Sequence, residues 1–149
     1  MIETLRHFDY QLFYLINREW TNGLLDIVCP LLRNKFTWLP LYIFMAIKLG
    51  RQYGKNIIWL AIFAGITVLF TDQVSSSLIK PLVHRLRPCN NPAMHARLLL
   101  THCGAGFSFV SSHAANHFGI AVFLSFYFKN KKIAAPFLLA WAFSVAYAQ

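Results

Sequence analysis

Apolar residues are grouped along this chain in four long blocks, which basic or polar residues separate. The blocks cover residues 36–49, 57–79, 107–128 and 133–149. A helix needs about 20 apolar residues to cross a bilayer, and the second and third blocks provide them. The first block is shorter, and the side chains of Lys35 and Lys48 extend it by reaching to the interface. The pattern predicts a bundle of transmembrane helices.

The first 35 residues follow a different pattern, in which apolar and polar positions are mixed. Four apolar side chains share one face of a predicted helix: Phe8, Leu12, Leu15 and Ile16. A Thr-Asn-Gly sequence ending at Gly23 interrupts this helix, and a second apolar piece covers residues 24–32. Neither piece has the length of a span. We therefore predict an interfacial amphipathic segment at residues 1–35 and a membrane domain at residues 36–149.

The second and third blocks are polar at one end only. The second ends with Asp72, Gln73 and three serines, and the third begins with serines, histidines and an asparagine. Because residues 80–106 connect these polar ends, both ends lie on the same face of the membrane. Polar residues at this depth face protein or water rather than lipid. Asp72 is expected either to pair with a basic residue of a site or to mark a water-lined helix end.

Basic residues indicate which face this is. Lys48, Arg51 and Lys55 separate the first two blocks, and three lysines at 129–132 separate the last two. Because two predicted spans separate these two basic groups, both groups lie on the same side of the membrane. The positive-inside rule makes that side cytoplasmic. Residues 80–106 then face outward, although four of them are basic. Basic residues on that side need a functional reason.

Composition supports the membrane class and narrows the possible chemistry. The chain is 57% hydrophobic and 13% charged, with a net charge of +9. In a soluble protein this charge would favour nucleic-acid binding, but here the basic residues lie between apolar blocks. An anionic lipid or phosphate is the expected partner, and nucleic acid is not. Asp72 is the single acid after Asp26, which disfavours two-metal and paired-carboxylate hydrolases, so no metal or cofactor is expected.

Lys80 and Arg87 form a K-x6-R-P pattern with Pro88 at the outer end of the second block. Pro81 and Pro88 limit how far the backbone continues as helix, so a compact turn could aim both cations at one point. An ammonium and a planar guanidinium together suit a phosphate group. The alternative is a basic juxtamembrane cluster that binds lipid head groups.

A second pattern, Val110-Ser111-Ser112-His113, lies near the start of the third block. Free N–H groups at a helix N-terminus receive anions, and the Ser111 hydroxyl adds a donor. His113 can protonate a departing alkoxide. A lone histidine is more often structural, so this interpretation depends on both patterns sharing one face. His117 is one helical turn away, but without nearby acids a metal site is disfavoured, and His117 is predicted either to support a residue of the site or to pack.

Together the two patterns resemble the type 2 phosphatidic acid phosphatases, which share a core with the vanadium haloperoxidases. That family has K-x6-R-P, then P-S-G-H, then S-R-x5-H-x3-D. The first pattern matches fully, and the second matches with Val110 for Pro and Ser112 for Gly. The resemblance implies an all-α, polytopic transmembrane helical bundle.

The resemblance also implies a role for each matching residue. Lys80, Arg87, Ser111 and Ser112 would bind phosphate, and His113 would be the general acid of a metal-independent hydrolysis through a phosphohistidine. The family's nucleophile is the histidine of the third pattern, which no residue here matches. Ala-Gln at residues 148–149 aligns with its start. We expect that the sequence stops before this pattern and that the chain as given is inactive.

The implied substrate is a lipid phosphate or diphosphate at the outer face of a bacterial inner (cytoplasmic) membrane, facing the periplasm or exterior. Undecaprenyl diphosphate, phosphatidate and phosphatidylglycerophosphate are candidates among which the sequence does not choose. The alternative is a non-catalytic membrane protein that binds phosphorylated lipids through Lys80 and Arg87. Cys89 and Cys103 lie in the outward loop, where they either form a disulfide or stay unpaired. No feature indicates an oligomeric state.

Overall fold

The computed structural model describes residues 2–94, 96–97 and 106–149. Over these residues the chain forms seven α-helices: α1 Ile2–Tyr14, α2 Gly23–Arg33, α3 Leu39–Tyr53, α4 Ile57–Gln73, α5 Lys80–Val83, α6 Ser112–Ser125 and α7 Lys131–Tyr147. The extended pairing in this part of the chain is one isolated antiparallel bridge between Leu86 and Phe107. The all-α class predicted from the apolar blocks is confirmed.

Short 3-10 and π turns connect these helices. The 3-10 turns are Lys35–Trp38, Gly54–Asn56, Pro88–Asn90 and Pro92–Met94, and the π turns are Leu15–Glu19 and Val74–Ile79. The second π turn joins α4 directly to α5. Pro81 has no N–H to donate to the carbonyl of Ser77, and the helix widens just before it. The second apolar block therefore continues as helix up to the K-x6-R-P pattern.

The core lies where α3, α4, α6 and α7 meet. Its buried side chains are Met45, Leu49, Leu60, Ala121, Leu124, Leu138, Trp141, Ala142 and Val145. Small residues bring the helices close together, as is usual for helices in membranes. At Gly119 of α6, an added Cβ would lie 2.7 Å from Thr71 Cγ2 of α4. Only glycine fits there without separating α4 from α6.

The two basic turns lie at the same end of the structure. Gln52 Nε2 and Tyr53 Oη, at the end of α3, each donate to the carbonyl of Tyr127 at 2.8 Å. Tyr127 lies in the turn between α6 and α7. These bonds place the end of α3 beside the turn between α6 and α7, so the two basic segments lie at the same end, as parity predicts.

One helical stretch among the described residues, Lys35–Val83, is long and apolar enough to cross a membrane. Its most apolar window has a mean hydropathy of 1.9, and only 6% of that window is buried. The low burial is unlike that of a core helix in a soluble protein. α6 and α7 have 14 and 17 residues, about 21 and 26 Å at the rise of an α-helix. Since the hydrocarbon core is about 30 Å thick, a polytopic bundle stays a prediction.

The helix of the third apolar block, α6, begins later than the block itself. We predicted that it would begin near residue 107, but α6 begins at Ser112. The reason is that the preceding residues are extended and pair with the K-x6-R-P loop: Phe107 bridges Leu86, and the N–H of Ser108 donates to the carbonyl of Arg85 at 2.8 Å. Gly106, with φ +80°, turns the chain into this pairing.

The N-terminal segment forms the helices α1 and α2, where the sequence predicts one amphipathic helix followed by a second apolar piece. The Asn22 side chain caps α2 by accepting from the N–H of Leu25 at 2.8 Å, which accounts for the interruption at this point. Many apolar side chains of the N-terminal segment are exposed, among them Phe8, Leu24 and Ile27. Exposed apolar residues suit an interfacial location, which stays a prediction.

The described cysteines are in two states. Cys89 is disulfide-bonded and Cys29 is free. Cys103 lies outside the described residues, so its pairing with Cys89 stays a prediction.

Candidate active site

Lys80 and Ser112 bring the two sequence patterns into contact. Lys80 is the first residue of α5 and Ser112 is the first residue of α6. The Lys80 ammonium donates to Ser112 Oγ at 2.8 Å. Ser75 and Ser76, in the π turn before α5, place their hydroxyls 3.1 and 3.0 Å from the same oxygen. Lys80 is therefore held at the N-terminal end of α6.

Ser111 caps this helix. Its side chain accepts from the N–H of Ala114 at 3.3 Å, and its carbonyl accepts from the N–H of Ala115 at 2.9 Å. The hydroxyl proton of Ser111 remains available to a further acceptor. The first-turn amides of Ser112 and His113 have no acceptor within the helix. The start of α6 therefore presents several donors, close to a lysine ammonium.

Arg87 follows α5 and is half-buried. Its Nε atom is buried and has no partner among the described residues. An unpaired buried donor is costly, and a charged donor more so. A phosphate oxygen would satisfy this atom with a charge-assisted bond. The neighbouring residue Leu86 is bridged to Phe107, which fixes the loop against the approach to α6.

His113 is the second residue of α6, and its side chain is exposed. Its carbonyl oxygen lies 2.7 Å from Nδ1 of His117. The His117 ring packs edge-on against Trp141, with 5.1 Å between ring centroids. His117 is thus a packing residue, as predicted, and it fixes the backbone of His113. Within the described part of the chain, no group of three His, Cys, Asp or Glu side chains could hold a metal ion.

Of the two expectations for Asp72, pairing with a basic residue is not found among the described residues, and a water-lined helix end stays a prediction. Asp72 Oδ1 accepts from Asn116 Nδ2 at 3.3 Å, and Asn116 Oδ1 accepts from the Thr71 hydroxyl at 2.7 Å. Because Asp72 lies on the face of α4 that packs against α6, an amide of α6 meets it rather than a cation of the loop. This bond fixes α4 against α6 about one turn from the contact between Lys80 and Ser112.

Sequence reasoning missed several residues around the site. Ser75 and Ser76 were recognised only as a polar helix end, although consecutive hydroxyls at membrane depth signal a polar contact inside the protein. The contacts of Arg85 and Ser108 had no signal in the sequence, because they depend on the folding of the loop. The structure brings Lys80 into contact with Ser112, whose chain neighbours at the start of α6 are Ser111 and His113. Arg87 lies in the loop that the bridge between Leu86 and Phe107 joins to the residues before α6.

Comparison with known proteins identifies the family. Residues 57–149 match the PAP2 superfamily. The lipid A 4'-phosphatase of Bacteroides thetaiotaomicron is 34% identical over 99% of this chain and 66% of its own length. The lipid A 4'-phosphatase of Porphyromonas gingivalis is 29% identical over 87% of this chain and 56% of its own length.

The chain therefore spans about two thirds and just over half of the length of these two relatives. No solved structure matches the chain significantly. The family match covers α4 to α7 and includes both sequence patterns. The chain belongs to the PAP2 superfamily, the family of the type 2 phosphatidic acid phosphatases.

Proposed function

We propose that this protein hydrolyses the phosphate ester of a membrane lipid, and that Lys80, Arg87, Ser111, Ser112 and His113 bind the phosphate and the leaving group. The observation that carries the proposal is the 2.8 Å bond from Lys80 to Ser112. It places a cation at the N-terminal end of a helix, one residue before an exposed histidine. A cluster that only attracts head groups needs no such contact.

The donors divide between phosphate binding and proton transfer. An ammonium has three N–H bonds, so Lys80 keeps two for phosphate while one is held by Ser112. Arg87 Nε, the Ser111 hydroxyl and the amides at the start of α6 supply the rest. Ser112 contributes its amide, while its hydroxyl orients Lys80. His113 donates its proton to the oxygen that leaves phosphorus, since an alkoxide leaves poorly without one.

The nucleophile belongs to a part of the family pattern that these 149 residues do not match. By the resemblance, a histidine nitrogen forms a bond to phosphorus as the bond to the leaving oxygen breaks, and water then releases phosphate. The second candidate function is a non-catalytic binder of phosphorylated lipids, which requires only the donors of Lys80, Arg87 and the start of α6.

The proposed substrate is a phosphate ester on a sugar-containing lipid of the lipid A class. The names of the two relatives support this choice over undecaprenyl diphosphate, phosphatidate and phosphatidylglycerophosphate. The test measures the rate of phosphate release from lipid A and compares it with the rate from phosphatidate. The protein is expressed from its natural gene, including any sequence after Gln149. Faster release from phosphatidate would contradict the choice of substrate, and release from neither would favour the binder.

Phosphate binding should survive in the 149-residue chain and should depend on Arg87. We expect this chain to bind phosphate or vanadate without turning over a lipid phosphate. Arg87→Ala should weaken binding roughly 10- to 100-fold, which corresponds to the free energy of hydrogen bonds to a charged group. Isothermal titration measures the affinity. Arg51→Ala, at the opposite end of the structure, is the matched control and should leave affinity unchanged. Equal losses in both variants, or turnover by the short chain that depends on His113, would contradict these assignments.

We also propose that the protein lies in the bacterial cytoplasmic membrane, with residues 1–35 at the outer interface and the site facing outward. A cysteine at exposed Asn130 should then be shielded from an impermeant thiol reagent in intact cells, whereas one at exposed Pro92 should be labelled. Burial, with a smaller contribution from Asp26, raises the pKa of the Cys29 thiol, so this native cysteine reacts slowly. The parent chain measures the background labelling of the native cysteines. Labelling at position 130 but not at position 92 would contradict the proposed orientation.

A further inference from the structure

The N-terminal segment is bound to the loop between α5 and α6 by polar side chains. Asp9 of α1 accepts from Arg85 Nε at 2.8 Å and from Arg85 Nη2 at 3.0 Å. Asn17 accepts from the N–H of Arg97 at 2.8 Å and donates to its carbonyl at 3.1 Å. Asp26 of α2 accepts from both terminal nitrogens of Arg97, at 2.9 and 2.6 Å. These bonds neutralise two of the basic residues that the outward loop carries.

Arg85 links three separate segments. Its third nitrogen, Nη1, donates to Ser108 Oγ at 2.6 Å, and its carbonyl accepts from the N–H of Ser108 at 2.8 Å. One guanidinium therefore connects α1, the K-x6-R-P loop and the extended residues before α6. Arg85 lies two residues before Arg87, and Ser108 lies three residues before Ser111. The link sits where both phosphate-binding segments enter the candidate site.

Three of the five N–H groups of Arg85 donate within the protein. Nε and Nη2 bind Asp9, and Nη1 binds Ser108. Two parallel bonds between a guanidinium and a carboxylate fix orientation as well as distance. The side chains of Arg85 and Asp9 are 24% and 40% exposed, so water screens the pair only in part. All three nitrogens of Arg85 thus make contacts that hold the loop.

We propose that Asp9 is a positioning residue for the phosphate site: through Arg85 it holds the loop that carries Arg87 against the start of α6. The inference rests on the proposed function and extends the site to α1, which lies outside the part of the chain that matches the family. Without the Asp9 carboxylate, the loop occupies its binding arrangement for a smaller fraction of the time. Substrate must then supply the free energy of ordering it, which raises KM by the inverse of that fraction. Once substrate is bound the loop is ordered, so kcat changes little.

The chain offers matched comparisons within the same segment. The pair of Asp26 and Arg97 is also bidentate and also joins this segment to the loop, but Arg97 lies in neither sequence pattern. Glu19 is an exposed acid of the same segment. Asp9→Asn, Asp26→Asn and Glu19→Gln each remove one negative charge. Only the first removes a contact to the K-x6-R-P loop.

The experiment measures lipid phosphate hydrolysis by the protein expressed from its natural gene. Asp9→Asn should raise KM about threefold to tenfold, with kcat within about twofold, and Asp9→Glu should restore most of the loss. Asp26→Asn and Glu19→Gln should leave KM unchanged. An unchanged KM in Asp9→Asn, a loss confined to kcat, or an equal rise in all three neutralised variants would overturn the proposal.

A measurement of hydrogen exchange, which does not depend on enzyme activity, separates this inference from the proposed function. In the 149-residue chain, the amide hydrogen of Ser108 should exchange faster in Asp9→Asn than in Asp26→Asn, because its acceptor is the Arg85 carbonyl. If Asp9→Asn does not fold, Ser108→Ala removes the hydroxyl link alone and should accelerate exchange in the loop. Unchanged exchange in the variant that folds would refute the positioning role. If exchange accelerates as expected but the protein has no phosphatase activity, the proposed function is refuted instead.

Discussion

His113→Ala should lower phosphate release from a lipid phosphate by roughly 10²- to 10⁴-fold, the contribution of a positioned general acid. The leaving group is the oxygen of an alcohol, which departs poorly as an alkoxide. The exposed ring of His113 projects from the first turn of α6, next to the residue that holds Lys80. Its backbone is fixed by His117, so the loss should come from the missing proton and not from disorder of the helix.

The leaving group distinguishes a general acid from a structural histidine. Nitrophenyl phosphate releases a stable phenolate that needs no proton, so His113→Ala should affect its hydrolysis much less than that of the lipid phosphate. Both substrates are assayed with the protein expressed from its natural gene. His7→Ala, which removes an exposed histidine of α1, is the control and should be active on both. An equal loss on both substrates would rule out proton donation by His113.

Trp141→Ala should lower the free energy of unfolding by about 3–5 kcal/mol, as large-to-small changes at buried aromatic residues do. Trp141 is 4% exposed. Its ring meets three others edge-on, Trp38 at 5.8 Å, Tyr42 at 5.9 Å and His117 at 5.1 Å between centroids. The variant leaves a cavity among α3, α6 and α7. Because His117 also bonds to His113, the same cavity should loosen the start of the site.

Trp141→Phe should behave differently. The indole Nε1 is buried without a partner among the described residues, and phenylalanine removes that donor while keeping an aromatic ring in the space. The cost should stay below about 1.5 kcal/mol. Phe137→Ala on the same helix, at a side chain 57% exposed, is the control for loss of an aromatic ring. Denaturant unfolding in detergent micelles measures all three, and equal destabilisation by Trp141→Ala and Phe137→Ala would contradict this account of the core.

The helices could be predicted from the sequence because their apolar blocks are long and their ends carry charges or prolines. α3, α4 and α7 occupy the predicted blocks within a few residues. The beginning of α6 could not be predicted: Phe107 and Phe109 continue the apolar block, and only the pairing of Phe107 with Leu86 keeps these residues extended. Long-range pairing here overrides a local pattern, as tertiary contacts often override propensity.

The candidate site could be predicted only as far as short patterns reach. K-x6-R-P indicated Lys80 and Arg87 as candidates, and the position of the serines and His113 at the start of a helix indicated the end that we propose to bind an anion. Sequence could not decide between the two expectations for Asp72, because it does not show which face of α4 meets α6. The bond between Asp9 and Arg85 joins residues 76 positions apart. Neither residue belongs to a periodic pattern that would reveal such a contact.

That separation sets an order of events during synthesis. At roughly 5–20 residues per second, a ribosome needs about 4–15 s to extend the chain from Asp9 to Arg85. Throughout this time α1 and α2 exist without the loop that they later bind. Their exposed apolar side chains, such as Phe8 and Leu24, are made before that loop exists. The bond from Asp9 to Arg85, and with it the arrangement of the loop that we propose for the site, can therefore form only after the K-x6-R-P segment has been synthesised.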